Sequence, residues 1–172
     1  KENFTKKLNA FFTTEAENRN KFLGQEAMIG QYAHGNEPSH HIGYLYAYST
    51  EPQTGQKYIH RVINEFHGNN PNGMIGNDDC GQMSAWYILS TLGFYPVNPA
   101  SGEFVLGSPQ VKKATLHLAK NKSFSIEAKN FSEQAIYNET RLLNGKEINK
   151  PFITFQDVIN GGSLIFEMII GS

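Results

Sequence analysis

Residues 92–102 read Leu-Gly-Phe-Tyr-Pro-Val-Asn-Pro-Ala-Ser-Gly, and the spacing of apolar residues changes across this stretch. Before it, apolar residues recur every three or four positions, as on one face of an α-helix. After it, they alternate with polar residues, as in β-strands. The prolines and glycines within the stretch interrupt both patterns. The sequence therefore predicts an α+β chain, with a helical segment over residues 1–98 and a strand region over residues 99–172.

Four helices are predicted in the first segment. The first helix contains Leu8 to Phe12, and the second runs from Pro38 to about Tyr48. The third carries the apolar stripe from Tyr58 to Phe66, and the fourth runs from about Gln82 to Gly93. Proline suits the first turn of a helix, and glycine commonly follows the last turn. Helices this short bury one another poorly when they carry many aromatic residues. Either they pack on the strands, or further helices of a larger assembly cover them.

Six strands are predicted in the second segment. They span Glu103–Leu106, Ala114–Leu118, Ser123–Ala128, Ile136–Leu143, Phe152–Phe155 and Leu164–Ile170. Asn144-Gly145 is a strong hairpin signal, because both residues tolerate the positive φ that a type I′ turn requires. Short antiparallel strands with turns between them predict a β-sandwich.

The composition is that of a soluble globular chain. Of the 172 residues, 39% are hydrophobic and 18% are charged, and 15 Lys and Arg against 16 Asp and Glu leave a net charge of −1. A run of about 18 apolar residues, as membrane insertion requires, does not occur, and neither does a basic cluster for a nucleic-acid backbone. We therefore expect no membrane insertion and no nucleic-acid partner. The single Cys80 excludes an internal disulfide, and a signal peptide is either absent or outside this sequence.

The first candidate site is the segment His34-Gly-Asn-Glu-Pro-Ser-His-His41. Gly35 permits a tight turn and Pro38 begins a helix, so Glu37 falls at a helix N-terminus, where the helix dipole favours a carboxylate. Such a loop can direct side chains into a cleft. The alternative is that Glu37 only caps the helix, while the histidines are packed or solvated.

The second candidate site is the segment Gly76-Asn-Asp-Asp-Cys-Gly-Gln82, which leads into the helix that carries Trp86. The adjacent carboxylates of Asp78 and Asp79 could provide a general base, and the oxygen-rich surroundings would suit a hard cation such as calcium. The alternative is that one aspartate caps the helix and the other is solvated. Trp86 could stack on a sugar ring, although aromatic residues at helical spacing more often belong to a core.

These two motifs, followed by Leu92-Gly-Phe-Tyr-Pro96, together resemble glycoside hydrolase family 92, the calcium-dependent exo-α-mannosidases that include α-1,2-mannosidases. The resemblance is dense from about residue 28 to residue 110. In that family a β-sandwich domain precedes an (α/α)6 barrel, and final β elements follow the barrel. The resemblance implies that residues 1–98 are the end of an (α/α)6 barrel, followed by an antiparallel β-sandwich-like C-terminal region. The remainder of the same polypeptide would then supply the missing helical partners.

The resemblance also implies roles for individual residues. It implies catalytic roles for Asp79 and Asp78, substrate contacts for Asn36, Glu37, His40 and Trp86, and calcium contacts for Asn77, Asp78 and Glu37. Asp79 is favoured as the general base. Some family members have Asp-Glu-Asp where this chain has Asn-Asp-Asp, so Asn77 cannot act as a further carboxylate. The general acid of the family lies upstream of these loops, and neither Glu15 nor Glu26 is assigned that role.

The implied function is that of part of a calcium-dependent inverting exo-α-mannosidase, which hydrolyses terminal α-1,2-linked mannose from glycans, as in N-glycan degradation. Since the general acid is expected elsewhere, the isolated chain should be inactive. Mannose-bearing glycans lie outside the cytoplasm, which implies a secreted or periplasmic protein. The alternative is a non-catalytic carbohydrate-binding module. Catalysis predicts that Glu37 and Asp79 converge on one cavity, whereas a binding module predicts that they face separate surfaces.

Overall fold

A computed structural model describes residues 1–15 and 28–171 of the chain. The chain forms two compact units, Lys1–Ile88 and Leu89–Ser172. Among the described residues, none of the helices combines the length and the apolar character that crossing a membrane would require.

The first unit is helical. Its α-helices are α1 (Glu2–Thr13), α2 (Pro52–Glu65) and α3 (Gln82–Leu92). The last of these continues into the second unit. A short hairpin joins β1 (Met28–Ile29) to β2 (Tyr32–Ala33). These three α-helices confirm three of the four predicted ones. The hairpin was not predicted, because strands of two residues are too short to show an alternating pattern.

The predicted helix from Pro38 to Tyr48 is instead two 3-10 helices, Glu37–Ser39 and Ile42–Tyr48. A 3-10 helix has three residues per turn, which places Gly43 and Tyr46 on one face. That face lies against α2, where a Cβ on Gly55 would come within 2.5 Å of the Cβ of Tyr46. Gly43 and Gly55 therefore allow this segment and α2 to approach each other closely.

Aromatic side chains fill the core of the first unit. Phe12 stacks on Tyr58 and Tyr32, with ring centroids 4.1 and 5.1 Å apart. The hydroxyl of Tyr46, which is fully buried, donates a hydrogen bond of 2.8 Å to the side-chain carbonyl of Asn9. Stacked and tilted ring pairs of this kind add to the burial of apolar area. Tyr46 is therefore a core residue.

Strands dominate the second unit. They are β3 (Phe94–Tyr95), β4 (Glu103–Leu106), β5 (Lys113–His117), β6 (Ser123–Lys129), β7 (Tyr137–Leu143), β8 (Lys146–Glu147), β9 (Phe152–Thr154) and β10 (Gly162–Ile169), with α4 (Phe155–Ile159) before the last strand. All six predicted strands are present within one or two residues of their predicted bounds. The Asn144-Gly145 turn is confirmed too, since both residues have positive φ angles, of 50° and 77°.

Within the described part of this unit, the strands form a sheet of order β5-β6-β10-β7-β8 and a smaller sheet of order β3-β4-β9. The expectation of purely antiparallel pairing is wrong at one position, because β10 runs parallel to β6. After β8 the chain passes through β9 and α4 before it returns as β10, and only such a long connection allows parallel neighbours. The sequence pattern marks strands but not this route.

The core of the second unit contains side chains from both sheets. Its buried residues include Phe94, Leu106, Phe124, Ile126, Ile153, Val158, Leu164, Phe166 and Met168. Leu89 and Leu92 of the last turn of α3 pack against this cluster. The second unit therefore begins within α3, before the change of apolar spacing that follows residue 98.

Candidate active site

The two candidate loops cross at a pair of glycines. Gly76 has a φ of 73°, and a Cβ at this position would lie 2.8 Å from the carbonyl oxygen of Gly35 and 3.1 Å from its Cα. Real Cβ contacts are longer, so neither a side chain nor an ordinary φ is compatible with this crossing. The fold thus brings together the Glu37 loop (residues 34–41) and the Asp79 loop (residues 76–82).

Replacing Gly76 by alanine should lower the free energy of unfolding by about 1–3 kcal/mol, because the substitution strains a left-handed backbone position and drives a methyl group into Gly35. Urea unfolding measures this loss. The matched control is Gly102→Ala, which has a similar φ of 68° and open space around its Cβ. Equal losses for the two variants would mean that the contact between the loops adds nothing to the backbone strain.

The loop crossing places two carboxyl groups side by side. The side chains of Glu37 and Asp79 share a hydrogen bond, which raises the pKa of Asp79, and the charges of Glu37 and Asp78 raise it further. The same hydrogen bond lowers the pKa of Glu37. Two carboxylates in contact repel each other unless a proton or a cation lies between them. This pair is therefore ready to hold a proton or a positive charge.

Asp78 has a different role from its neighbour. One of its carboxylate oxygens accepts a hydrogen bond of 2.8 Å from the backbone N–H of Ser84, and its carbonyl accepts one from Met83. These bonds satisfy N–H groups that the first turn of α3 would otherwise leave free. The chain then turns through Asp79 at a φ of 43°, and Asp79 is exposed. The capping alternative thus describes Asp78.

His40 and Trp86, for which substrate contacts are implied, are almost fully buried, with 2% and 1% of their surface exposed. The indole N–H of Trp86 donates to the carbonyl of His40 at 3.0 Å, and the imidazole of His40 contacts the amide of Gln82 at 3.2 Å. Their polar atoms are engaged inside the protein, so this geometry gives no support to a direct contact with sugar. Their position ties the Glu37 loop to α3.

A cluster of buried imidazoles lies behind the two loops. His34 is fully buried, and its ring centroid is 4.9 Å from that of His40 and 5.3 Å from that of His67. Burial lowers the pKa of His34 to about 2, and the neighbouring histidines contribute. Burial likewise lowers the pKa values of His40 and His67. The cluster is neutral at physiological pH and forms packing rather than a reactive group.

The side chains at the loop crossing are rich in oxygen atoms, which are the ligands that calcium prefers. Within residues 1–15 and 28–171, no group of three or more His, Cys, Asp or Glu residues could hold a metal ion. Calcium, however, takes amide and carbonyl oxygens together with carboxylates. Glu37 and Asp79 offer adjacent carboxyl groups, and Asn36 and Asn77 are exposed in the same loops. These oxygen-only donors fit calcium, and the repulsion between the carboxylates favours a cation.

Glu15, which was not assigned a role, lies beyond the end of α1, is exposed, and belongs to neither loop. Glu26 lies outside the described residues. Sequence reasoning missed the contacts of Gln82 and the crossing of Gly35 with Gly76. A glycine in each motif was the available signal, although nothing local indicates that two glycines will meet.

The catalytic-domain model of glycosyl hydrolase family 92 matches residues 1–169. The chain belongs to glycosyl hydrolase family 92. The match confirms the resemblance that the two loop motifs indicated, and it extends through the second unit.

Solved family 92 structures resemble this chain closely. The GH92 α-mannosidase BT3965 from Bacteroides thetaiotaomicron is 41% identical, with a TM-score of 0.87 over 96% of this chain and 22% of its own. The GH92 inverting mannosidase BT2199 from Bacteroides thetaiotaomicron VPI-5482 is 35% identical, with a TM-score of 0.79 over 95% of this chain and 24% of its own. A further BT3965 structure contains mannoimidazole.

A fungal protein is also similar in sequence to this family 92 chain. The uncharacterized secreted glycosidase of Arthroderma benhamiae is 29% identical over 140 residues, which are 80% of this chain and 18% of that protein. The chain thus spans about a fifth of the length of the relatives it matches.

Proposed function

We propose that this chain provides the general base and the calcium side of an exo-α-mannosidase active site. The observation that carries the proposal is the contact of Glu37 with Asp79 where the two loops cross. This convergence favours catalysis over a non-catalytic carbohydrate-binding module, for which the two acids would face separate surfaces. The names of the relatives support the substrate class, since two are described as mannosidases and one was solved with mannoimidazole.

Asp79 is the proposed general base. Its carboxylate is solvent-exposed, whereas that of Asp78 is engaged at the start of α3. In an inverting reaction the ionised carboxylate accepts a proton from water as the water attacks the anomeric carbon from the face opposite the leaving oxygen. The product is then β-mannose.

Glu37 is not the general acid in this proposal. The acid and the base of inverting glycosidases stand about 6.5–9.5 Å apart, so that water fits between them. Glu37 and Asp79 share a hydrogen bond, which leaves no such space. The proton for the leaving oxygen therefore comes from an acid elsewhere in the polypeptide, and the isolated chain is inactive.

Glu37, Asn77 and the free oxygen of Asp78 are the proposed calcium contacts, with Asn36 beside them on the sugar side. When bound, calcium supplies positive charge that polarises the sugar hydroxyls and assists distortion of the ring. Without it, Glu37 and Asp79 share a proton in a hydrogen bond that raises the pKa of Asp79 and lowers that of Glu37, and an Asp79 that holds this proton cannot accept one from water. Neutralising the charge of Glu37 therefore serves the catalytic role of Asp79.

The helical unit is proposed as the end of an (α/α)6 barrel. On α3, Ile88 is 56% exposed and Tyr87 is 37% exposed, and both line a groove of about 650 Å³ together with Ile63 and Met74. Apolar side chains are usually covered when a helix packs fully. The relatives are several times longer than this chain, so the remainder of the same polypeptide is proposed to cover this face.

A secreted or periplasmic location and specificity for α-1,2-linked mannose complete the proposal. The fungal relative is described as secreted, which agrees with a glycan substrate outside the cytoplasm. The linkage is proposed because the family that the loop motifs resemble includes α-1,2-mannosidases.

The complete polypeptide that carries this sequence should release mannose from α-1,2-mannobiose, with β-mannose as the first product in proton NMR spectra. Chelation with EDTA should abolish the release, and added calcium should restore it, because the carboxylate pair then regains a counter-charge. Comparison with α-1,3- and α-1,6-mannobiose checks the linkage. Initial formation of α-mannose, or full activity in EDTA, would contradict the mechanism.

A further inference from the structure

Hydrogen bonds connect the two acidic loops through the side chains of His40, which is buried, and Gln82, which is half-buried. The amide nitrogen of Gln82 is 3.2 Å from Nδ1 of His40, and Nε2 of His40 is 3.1 Å from the carbonyl oxygen of His34. We propose that Gln82 and His40 form a clamp that holds the Glu37 loop against the Asp79 loop. Both are positioning residues, and this inference rests on the proposed function of the two acids.

The direction of each hydrogen bond follows from the carbonyl at one end. A carbonyl only accepts, so Nε2 of His40 carries the proton and donates to His34. In the neutral imidazole Nδ1 is then an acceptor, and the Gln82 amide N–H donates to it. The side-chain bond between the two loops therefore requires a donor at position 82.

The clamp connects directly to both acids through the backbone. The N–H of His40 donates to the carbonyl of Glu37 at 3.0 Å, and the N–H of Gln82 donates to the carbonyl of Asp79 at 3.3 Å. Each clamp residue thus lies three positions after the acid of its own loop. A side-chain bond between His40 and Gln82 consequently sets the distance between the two acid-bearing turns.

A second attachment keeps the clamp in register. One helical turn beyond Gln82, the indole N–H of Trp86 donates to the carbonyl of His40 at 3.0 Å. Gln82 and Trp86 lie on the same face of α3. The helix therefore binds both the side chain and the backbone carbonyl of His40. His40 and Trp86 are almost fully buried, and in such surroundings a lost hydrogen bond is not replaced by water.

The clamp is tested in the complete polypeptide with Gln82→Leu, which removes the donor at similar volume. We expect kcat on an α-mannoside to fall by about 10²-fold, the loss typical of a misplaced reacting group, while KM changes little. His40→Asn should retain more activity than Gln82→Leu, because its side-chain oxygen takes the place of Nδ1 and still accepts from Gln82. The matched control is Gln56→Leu, a buried glutamine on α2, which should keep its kcat.

Hydrogen–deuterium exchange provides a readout that does not depend on turnover. Gln82→Leu should accelerate exchange in residues 34–41, whereas Gln56→Leu should not. If Gln82→Leu does not fold, Gln82→Met takes its place, since its unbranched side chain has a similar length and no donor. An active wild type with unchanged kcat or unchanged exchange in the variant would refute the clamp. An inactive wild type would refute the proposed function, and the exchange comparison would still decide the clamp.

Discussion

Replacing Asp79 by asparagine in the complete polypeptide should lower kcat for mannose release by about 10³- to 10⁴-fold, the upper range for the loss of a general base. Asparagine has the same shape but cannot accept a proton from water. The substitution also removes one of two adjacent carboxyl groups, which relieves repulsion at the loop crossing. The fold should therefore persist, and the loss should appear in turnover. Steady-state kinetics and far-UV circular dichroism measure the two effects.

Asp78→Asn is the matched control, because it makes the same chemical change one residue earlier. Asparagine caps helices about as well as aspartate, so the bond to the Ser84 N–H should survive. We expect a smaller loss of kcat than for Asp79→Asn, together with weaker calcium binding. Near-normal turnover of Asp79→Asn, or a larger loss for Asp78→Asn, would remove Asp79 from the role of base.

The parts of the fold that the sequence predicts depend on local signals. Alternation of apolar residues located β6 and β10, and the Asn144-Gly145 pair located the hairpin between β7 and β8. Each signal lies within a few residues and does not depend on distant contacts. Thr154 and Asp157 form a capping box at the start of α4, a further local signal that the strand pattern concealed.

The parts that were not predicted depend on contacts between distant residues. The parallel pairing of β6 with β10 depends on where the chain returns after α4. The same holds for the site. The acidic loops identified Glu37 and Asp79, but their hydrogen bond depends on the glycine crossing, and the burial of His40 depends on α3. A residue that positions a site and a residue that touches substrate can occur in the same motif, and only packing distinguishes them.

Lowering the pH below about 6.5 should destabilise the protein through its histidine cluster. His34 has a folded-state pKa of about 2, whereas an unfolded histidine titrates near 6.5. Below pH 6.5 the unfolded state therefore binds a proton at His34 that the folded state does not bind. The contribution of the neutral His34 to stability is complete above pH 6.5 and is lost as the pH falls. His34 alone should reduce the free energy of unfolding by about 1.4 kcal/mol per pH unit. Urea unfolding at pH 7.5, 6.0 and 5.0 measures the slope.

The histidine cluster can be separated from other acid-sensitive groups by His34→Phe. Phenylalanine keeps a flat ring beside Trp86, 4.2 Å from His34 between centroids, but cannot be protonated. This variant should lower the slope by about 1.4 kcal/mol per pH unit.

Tyr32→Phe is the control, because it removes the hydroxyl that contacts Nδ1 of His34 at 2.9 Å and leaves the imidazole in place. It should reduce stability at every pH without changing the slope. A His34→Phe slope equal to that of the wild type would mean that the buried imidazole takes up its proton in the folded state, and the cluster would then not be the source of acid sensitivity.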